Sequence, residues 1–392
     1  MSSNKKLILV IGATGAQGMA VIDQLLAPSV NGDPSPFIIR ALTRDPESRR
    51  AQELKAKGVE CVKGAFDDFP SVLNALQCAY GAYVNTDTFT VGEVKELFAG
   101  VRIFELAKQV KTLRHYVWSS LDYSSKDTGY NPDYRVEHYD GKGRVGDFLR
   151  QQPSEPTDTG LSWSQLTSGP YMDMLTNVKH LVSSFVMYQQ LISPLQYNFG
   201  PLNKRPDGTY VFASPIGDGH VPMVALEDLG YFARYIFDHR VETSGKDLKI
   251  ASDMVGWDYL VSTFTKVTGQ PAVYVRQTTD EWVESFVGAD EPLANEQTVV
   301  TEDTNTFSKN FKRWWALFRD DVVKRDLDWI RSVNPDGYTL ESWMREKDYT
   351  GELNPGLLKN SEDVTLSIHD SGAIQSLSGP RIDPIFRAPA YT

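Results

Sequence analysis

Cysteine is scarce in this sequence of 392 residues, in which only Cys61 and Cys78 are present. Two cysteines are too few for a disulfide framework or for a zinc site built on thiolates. The sequence also has no His-x-x-x-His, Cys-x-x-Cys or paired-acid motif of the kind that holds a metal ion. We therefore expect no metal, and two reduced thiols that pack as small apolar side chains.

Long apolar runs and clusters of basic residues are also missing. The first apolar run covers only residues 7–11 and leads directly into Gly-Ala-Thr-Gly, which is typical of a buried strand and not of a signal peptide or membrane span. We expect a soluble cytoplasmic protein that does not enter a membrane, with the nucleus as the alternative location. The formal net charge of −11 argues against a nucleic-acid partner, because a negative surface repels phosphates.

The first 170 residues alternate short apolar runs with helical patterns. Strands are predicted at residues 7–11, 37–42, 59–62, 82–85, 115–119 and 161–167. This order predicts an α/β fold with a Rossmann-type, doubly wound parallel sheet. Later residues predict a strand at 273–275 and helices at 281–286 and 311–330, which indicates a smaller mixed α/β domain.

These patterns suggest three parts of the chain. Residues 1–168 are predicted to form a Rossmann domain, and residues 169–351 a smaller domain for a substrate or partner. The alternative is that the second segment crosses back to the Rossmann domain. Residues 352–392 contain scattered Gly, Pro and Ser without a helical period, so we expect a C-terminal arm that is packed on the body or partly disordered.

The strongest motif lies between the first predicted strand and the helix that follows it. Its glycines permit a tight turn, a close approach of the backbone to a pyrophosphate, and close packing of the helix on the strand. The free N–H groups and partial positive charge of the helix N-terminus favour phosphates. The motif predicts dinucleotide binding by Gly12, Thr14, Gly15, Gln17 and Gly18.

The end of the second strand indicates which dinucleotide binds. NAD-binding proteins place an acidic residue there to bind the ribose 2′-hydroxyl. This chain has Thr43 and Arg44 instead, followed by Asp45. A guanidinium can pair with a 2′-phosphate, so NADP(H) is favoured and NAD is the alternative. The other interpretation of Arg44 is a solvated surface side chain.

Six separate segments carry a family pattern: Gly12 to Gly18, Thr43-Arg44, Thr167-Ser-Gly-Pro-Tyr171, and residues 311–315, 328–331 and 342–345. Together they resemble the NmrA-like family, an atypical branch of the short-chain dehydrogenase/reductases. The resemblance spans about residues 5–351. It implies a Rossmann domain, a smaller α/β domain and a cleft between them. It also implies either a reductase of a small organic substrate (a carbonyl, imine or activated alkene) or a non-catalytic, NAD(P)-sensing redox regulator that binds a protein such as a transcription factor.

The adenine end departs from the family pattern. Similar proteins often read Gly-Asp-x-x-Asp after the third strand, with the first Asp near the adenine ring. Here Ala65 occupies that position, so backbone groups or Phe66 would hold the adenine. Asp67 and Asp68 are then expected to act as helix-capping or turn residues.

Short-chain reductases use a Tyr as the general acid and a Lys four residues later. Lys142 matches the lysine, but the position four residues before it holds His138, and Tyr139 follows. Either His138 or Tyr139 could donate a proton. Gly141 and Gly143 disfavour a helical start and argue against this spacing. The alternative is that Lys142 binds only the cofactor ribose and His138 faces solvent.

The carboxyl ends of the predicted strands supply the remaining candidates, because they line the ligand crevice of an open α/β sheet. Asn85 and Thr86 are expected beside the nicotinamide. Ser119, Phe89 and Tyr171 are expected to contact the substrate. The alternative for Ser119 is a hydroxyl that satisfies backbone groups at a strand end.

Tryptophans are concentrated near the end of the second segment, which could indicate a binding surface. However, Trp315, Phe318, Val322 and Trp329 recur near helical spacing. A recurring aromatic stripe of this kind is typical of a packed helix face. We therefore predict that these aromatic side chains belong to the core.

Overall fold

A parallel sheet with helices on both faces forms the larger part of the structure, a computed structural model that describes residues 5–29, 31–176, 199–284, 286, 289–297 and 301–352. The strands within these residues are β1 (Lys6–Ile11), β2 (Phe37–Thr43), β3 (Glu60–Lys63), β4 (Gly81–Val84), β5 (His115–Ser120), β6 (Ser162–Thr167), β7 (Asn203–Lys204), β8 (Tyr210–Ser214), β9 (Val221–Met223), β10 (Asp247–Lys249), β11 (Asp253–Val255) and β12 (Ala272–Arg276).

Helices connect these strands and also form the last part of the described chain. They are α1 (Ala16–Leu26), α2 (Arg49–Ala56), α3 (Phe69–Leu76), α4 (Thr88–Val91), α5 (Glu93–Ala107), α6 (Ser124–Asp127), α7 (Glu137–Arg150), α8 (Leu226–Asp238), α9 (Arg240–Thr243), α10 (Trp257–Thr268), α11 (Thr279–Glu284), α12 (Phe307–Arg319), α13 (Leu327–Val333) and α14 (Leu340–Glu346). Pro132–Tyr134 and Met172–Thr176 form short 3-10 turns.

The large sheet has the strand order β10-β6-β5-β4-β1-β2-β3, and all of its strands are parallel. The interior strand β1 is apolar on both faces, as expected where helices cover both sides of a parallel sheet. Ile8 and Val10 pack with α1, α2 and α8 on one face. Leu9 and Ile11 pack with α3, α5 and α7 on the other. The predicted α/β class with a doubly wound parallel sheet is confirmed.

The smaller part is mixed, as predicted. Strand β8 pairs in parallel with β12 and antiparallel with β7, while β9 and β11 form a separate antiparallel pair. Its core is aromatic and includes the fully buried side chains Trp257, Phe264 and Trp315. Trp329 is only partly buried and packs against the core of the large sheet instead.

After strands β7, β8 and β9 of the smaller part, the chain returns to the large sheet. Strand β10 pairs with β6 at the sheet edge, and α8 packs against α1 so closely that a Cβ on Gly230 would lie 2.5 Å from the Ala20 carbonyl oxygen. The three-part division of the chain stays a prediction, and residues 353–392 of the predicted arm lie outside the described residues. No helix among the described residues is long and apolar enough to cross a membrane.

The single helix predicted over residues 311–330 is wrong. The structure has two helices there, α12 and α13, with a break between Asp320 and Asp326. Asp321 adopts φ of 48° within the break. The side chain of Asp326 then caps α13 by accepting a hydrogen bond from the Trp329 N–H, so a new helix begins where the sequence suggested continuation.

Candidate functional site

A cavity of about 810 Å³ lies at the carboxyl ends of the central strands of the large sheet. This is where open α/β sheets bind ligands. Of the residues predicted from sequence, Gly18 alone lies away from the cavity wall. The others all line it: Gly12, Thr14, Gly15, Gln17, Thr43, Arg44, Asn85, Thr86, Phe89, Ser119, His138, Tyr139, Lys142 and Tyr171.

The glycine-rich turn between β1 and α1 has no room for side chains. Gly12 adopts φ of 79°, and a Cβ there would lie 2.9 Å from the Asn85 carbonyl oxygen. A Cβ on Gly18 would lie 2.2 Å from the Gly12 carbonyl oxygen, so this glycine allows α1 to approach the turn. Since no side chain caps α1, its first N–H groups are available to a phosphate. The turn therefore fits a dinucleotide pyrophosphate.

Arg44 lies at the end of β2, where its exposed side chain lines the cavity. Thr43 shapes the turn, because its hydroxyl bonds both the N–H and the carbonyl of Asp45, at 3.3 and 3.2 Å. Within the described part of the chain, no carboxylate forms an ion pair with Arg44. Its guanidinium therefore fits the 2′-phosphate of NADP(H).

The predicted adenine end of the cavity is lined by residues 64–67, including Ala65 and the half-buried Phe66. Asp68 occupies the N-cap position of α3, but its carboxylate makes no capping hydrogen bond. Of the two expected roles, cap or turn, the turn is the one found: the Asp68 N–H donates to the Ala65 carbonyl at 3.1 Å, and Asp67 lies within the turn that this bond closes. The exposed carboxylate stays in solvent, and it is the Asp68 carbonyl that accepts a hydrogen bond, from the Ser71 hydroxyl at 2.8 Å.

Lys142 lines the cavity away from its Arg44 end and lies in a dense polar network. Its Nζ donates to the Asn85 side-chain oxygen at 3.2 Å and to the Thr86 carbonyl at 2.9 Å. It also lies 3.1 Å from Oε1 of Glu96, which is completely buried in α5. Glu96 in turn accepts a hydrogen bond from the Thr86 hydroxyl at 2.7 Å. This network fixes the ammonium beside the residues predicted to contact the nicotinamide.

The spacing between His138 and Lys142 is helical. Helix α7 begins at Glu137 and not near Lys142, so the expectation that Gly141 and Gly143 oppose a helical start is wrong. Packing overrides their low helix propensity, because a Cβ on Gly143 would lie 2.5 Å from the Tyr123 Cβ. His138 and Lys142 therefore lie one turn apart on the same face of α7.

His138 is buried, so the alternative that it faces solvent is wrong. Its ring packs beside Phe89 and Phe311, with centroids 4.9 and 5.5 Å away. Its Nδ1 lies 3.1 Å from the side-chain nitrogen of Asn310. Burial and, secondarily, the Lys142 ammonium lower the pKa of His138 to about 3, although the bond with Asn310 opposes the shift. The imidazole is therefore neutral at physiological pH.

The other predicted hydroxyl groups also keep their protons. Burial raises the pKa of both Tyr139 and Tyr171 well above the usual range for tyrosine, and the nearby carboxylates of Asp122 and Asp173, respectively, add to the effect. At physiological pH these phenols can therefore donate hydrogen bonds into the cavity.

Ser119 connects to the glycine-rich turn. Its hydroxyl donates to the Gln17 side-chain oxygen at 2.6 Å, and the Gln17 nitrogen donates to the Tyr171 hydroxyl at 3.4 Å. The Ser119 proton is thus already engaged, which leaves its oxygen to accept a further bond. Its predicted substrate contact stays a prediction.

Sequence reasoning missed much of the far wall, which comes from distant segments. Phe311 and Trp314 of α12 line the cavity, whereas Trp315 and Phe318 of the predicted stripe lie in the core. Residues 295–296 also reach the cavity, where the Asn295 N–H donates to the Phe89 carbonyl at 2.8 Å. The only available signal was the aromatic concentration itself.

A buried ion pair ties the segment after α12 to the large sheet. Arg325 has no exposed side chain, and its guanidinium donates to both oxygens of Asp122 at 3.1 and 2.7 Å. Burial alone would raise the pKa of Asp122, but Arg325 and Lys249 together hold it below its usual value. The arginine also donates to the Ser168 carbonyl at 2.9 Å and so fixes α12 near the strand ends.

Comparison with known proteins gives consistent matches. The model of the NmrA-like family matches residues 4–338. The NmrA-like family domain-containing oxidoreductase malD of Malbranchea aurantiaca is 28% identical over 292 residues, which is 70% of this chain and 77% of that protein.

Solved structures share the fold. NmrA, a negative transcriptional regulator, in complex with NADP has a TM-score of 0.60 and 18% identity, covering 88% of this chain and 95% of that one. The NADPH-dependent quinone oxidoreductase QOR2 of Escherichia coli, complexed with NADPH, has a TM-score of 0.57 and 16% identity, covering 87% and 99%. With a family match over nearly the whole chain, this protein belongs to the NmrA-like family.

Proposed function

We propose that this protein binds NADP(H), with NAD as the weaker ligand, and reduces a small organic substrate that carries a carbonyl, imine or activated alkene. The observation that carries the proposal is the continuous cavity from Arg44, past the glycine-rich turn, to Lys142 and His138. Such a cavity offers a cation for the 2′-phosphate at one end and polar groups beside an aromatic wall at the other. The oxidoreductase names of the curated relatives support this class of reaction.

The residues of this chain would have distinct tasks. Arg44 and Thr43 would hold the 2′-phosphate, and Gly12, Gly15 and the start of α1 the pyrophosphate. A bound reduced nicotinamide supplies a hydride. Lys142 would hold the nicotinamide ribose. His138 or Tyr139 would donate a hydrogen bond to the substrate atom that gains electron density, and would pass that proton to it as the hydride adds; solvent would then reprotonate the donor.

The aromatic wall indicates the shape of the substrate. Phe89, Phe311 and Trp314 face the cavity together with His138, which presents a neutral ring. A flat, uncharged substrate stacks on such a surface, whereas an ionised acid would lose hydration against the rings, and Lys142, the cation on this part of the wall, is already paired with Glu96. We therefore expect conjugated or aromatic substrates to be preferred to sugars or organic acids.

The direct test is NADPH consumption with purified full-length protein. A panel with one quinone, one aromatic aldehyde, one cyclic imine and one enone covers the proposed electrophiles. The proposal predicts a loss of NADPH absorbance that matches product formation with at least one of them. Binding of NADPH without any product from the panel would contradict it.

The second candidate is a redox-sensing regulator that binds a protein partner without turnover. One observation favours it. The Lys142 ammonium already contacts Glu96, Asn85 and Thr86, and these contacts alone account for its position without a role in catalysis. A regulator must bind oxidised and reduced cofactor with different affinities. Calorimetric titration with NADP+, NADPH and NAD+, followed by capture of partners at each redox state, tests this function; equal affinities for NADP+ and NADPH would argue against it.

A further inference from the structure

Asn310 of α12 has an orientation that its neighbours determine. Its side-chain oxygen lies 3.0 Å from the backbone nitrogen of Glu137 and 3.2 Å from the Asn305 side-chain nitrogen. A backbone N–H can only donate, so the Asn310 atom that faces it must be the oxygen. Asn310 has no exposed surface, and water therefore offers no alternative partner. The amide nitrogen must then point the other way.

That amide nitrogen faces His138. The distance from Nδ2 of Asn310 to Nδ1 of His138 is 3.1 Å. An amide nitrogen carries hydrogens and accepts nothing, so Nδ1 of His138 must be the acceptor. A neutral imidazole has one N–H, and Nε2 must therefore carry it. Among the described residues Nε2 has no hydrogen-bond partner, and His138 lines the cavity.

We propose that Asn310 is a positioning residue that fixes His138 as the Nε2–H tautomer, so that the histidine presents a permanent hydrogen-bond donor to the substrate half of the cavity. The site would then select ligands that offer an acceptor, such as a carbonyl oxygen, over ligands that offer only a donor. This inference rests on the proposed function for its substrate, but the tautomer itself can be measured without one.

The packing around His138 makes the arrangement rigid. The imidazole is flanked by Phe89 and Phe311, with Tyr139 packed edge-on at a centroid distance of 4.9 Å. The Lys142 ammonium, one helical turn away, disfavours a second proton on the ring. Because Asn310 is itself held by Glu137 at the start of α7, the donor and its support move as one unit.

The first test is the protonation state of His138. The full chain is labelled with ¹⁵N at its six histidines, and His138→Phe identifies the resonance. The expected long-range ¹H–¹⁵N pattern shows a protonated Nε2 and an unprotonated Nδ1 that stay unchanged from about pH 8 to about pH 5. Protonation at Nδ1 in the wild-type protein would overturn the inference, whether or not any variant folds.

Asn310→Asp is the informative variant. A carboxylate still accepts the bonds from Glu137 and Asn305, but it cannot donate to His138, so the histidine should gain a proton on Nδ1. The surface change Asn74→Asp matches the charge and should leave the His138 signal unchanged. An Asn310→Asp protein with the wild-type tautomer would contradict the assignment.

The second test uses binding to protein saturated with NADP+, which cannot reduce a ligand. 1-Naphthaldehyde and 1-naphthylamine share one ring system but offer an acceptor or a donor. The wild-type protein should prefer the aldehyde by about tenfold, the size expected for one hydrogen bond, and His138→Phe should lose that preference. The same ratio of affinities for the two ligands in the wild-type and His138→Phe proteins would overturn the donor role. If the proposed reductase function fails instead, NADPH is not consumed but the tautomer and the preference remain.

Discussion

The Nζ atom of Lys142 lies 3.1 Å from Oε1 of Glu96, a carboxylate with no access to solvent. The lysine comes from α7 and the glutamate from α5, so the pair joins two helices on one face of the large sheet. Lys142 also reaches Asn85 and Thr86 at the end of β4. A single side chain therefore serves both the packing of these helices and the wall of the cavity.

Removing the carboxylate should destabilise the protein strongly. Glu96→Gln leaves the Lys142 ammonium buried without an opposite charge, and the loss of one partner of a buried ion pair reduces the free energy of unfolding by about 3–5 kcal/mol. Urea unfolding followed by tryptophan fluorescence measures the change. The double variant Glu96→Gln/Lys142→Met removes both charges and should recover much of the loss. A double variant as unstable as the sum of the single variants would show that the pair does not interact.

Arg44→Ala should separate the two cofactors. Loss of the guanidinium removes charge-assisted hydrogen bonds to a 2′-phosphate, which are worth about 1.5–3 kcal/mol, so the Kd for NADPH should rise by about 10- to 100-fold. The Kd for NADH should hardly change, because NADH has no phosphate at that position. Arg102→Ala on the exposed surface of α5 is the charge-matched control. An equal loss of affinity for both cofactors would refute this assignment.

Gly18→Ala should disrupt the glycine-rich turn. The added Cβ would lie 2.2 Å from the Gly12 carbonyl oxygen, so α1 and the turn would have to move apart. We expect a loss of at least about 3 kcal/mol in unfolding free energy and of most cofactor affinity. Gly58→Ala is the comparison, because its Cβ would meet nothing within 4 Å and only the left-handed backbone, at about 1–2 kcal/mol, opposes it. Similar losses in both proteins would contradict the packing argument.

His138 should make the protein less stable in acid. Its pKa is about 3 in the folded protein, against an ordinary value of 6.5, so below pH 6.5 the unfolded chain binds a proton that the folded protein does not. The free energy of unfolding of His138→Phe, relative to that of the wild type, should therefore rise by about 1.6 kcal/mol between pH 6.5 and pH 5. Urea unfolding across this range measures it. His115 is present in both proteins, so its own pKa of about 3 cancels in the comparison, and parallel pH profiles would rule out a neutral buried His138.

The sequence predicted the glycine-rich turn well because its geometry is local. Gly12 adopts a positive φ, and Gly18 leaves room for the backbone of the turn. A single strand-turn-helix unit requires both features. The end of β2 with Arg44 is local in the same way. Fold class followed from the alternation of apolar runs, since each strand of a parallel sheet must be buried on both faces.

The sequence could not place residues whose role depends on distant contacts. Glu96, Asn310 and Trp314 reach the site only because α5 and α12 pack against α7, and no local pattern encodes that packing. At Gly141 the local pattern was misleading instead. Glycine has a low helix propensity, yet it is favoured here because α7 packs closely against α5, where a Cβ would lie 2.9 Å from a Glu96 oxygen.

The central claim is that one cavity brings NADPH and an electrophilic substrate together beside His138 and Lys142. A single-turnover experiment tests it most directly: protein loaded with one equivalent of NADPH is mixed with the most active electrophile of the panel, and NADPH absorbance and product are followed together. The account predicts that both change at one rate, and that His138→Phe slows this rate while the NADPH affinity stays near that of the wild type. NADPH that remains bound and unoxidised, or a rate unaffected by His138→Phe, would contradict the account.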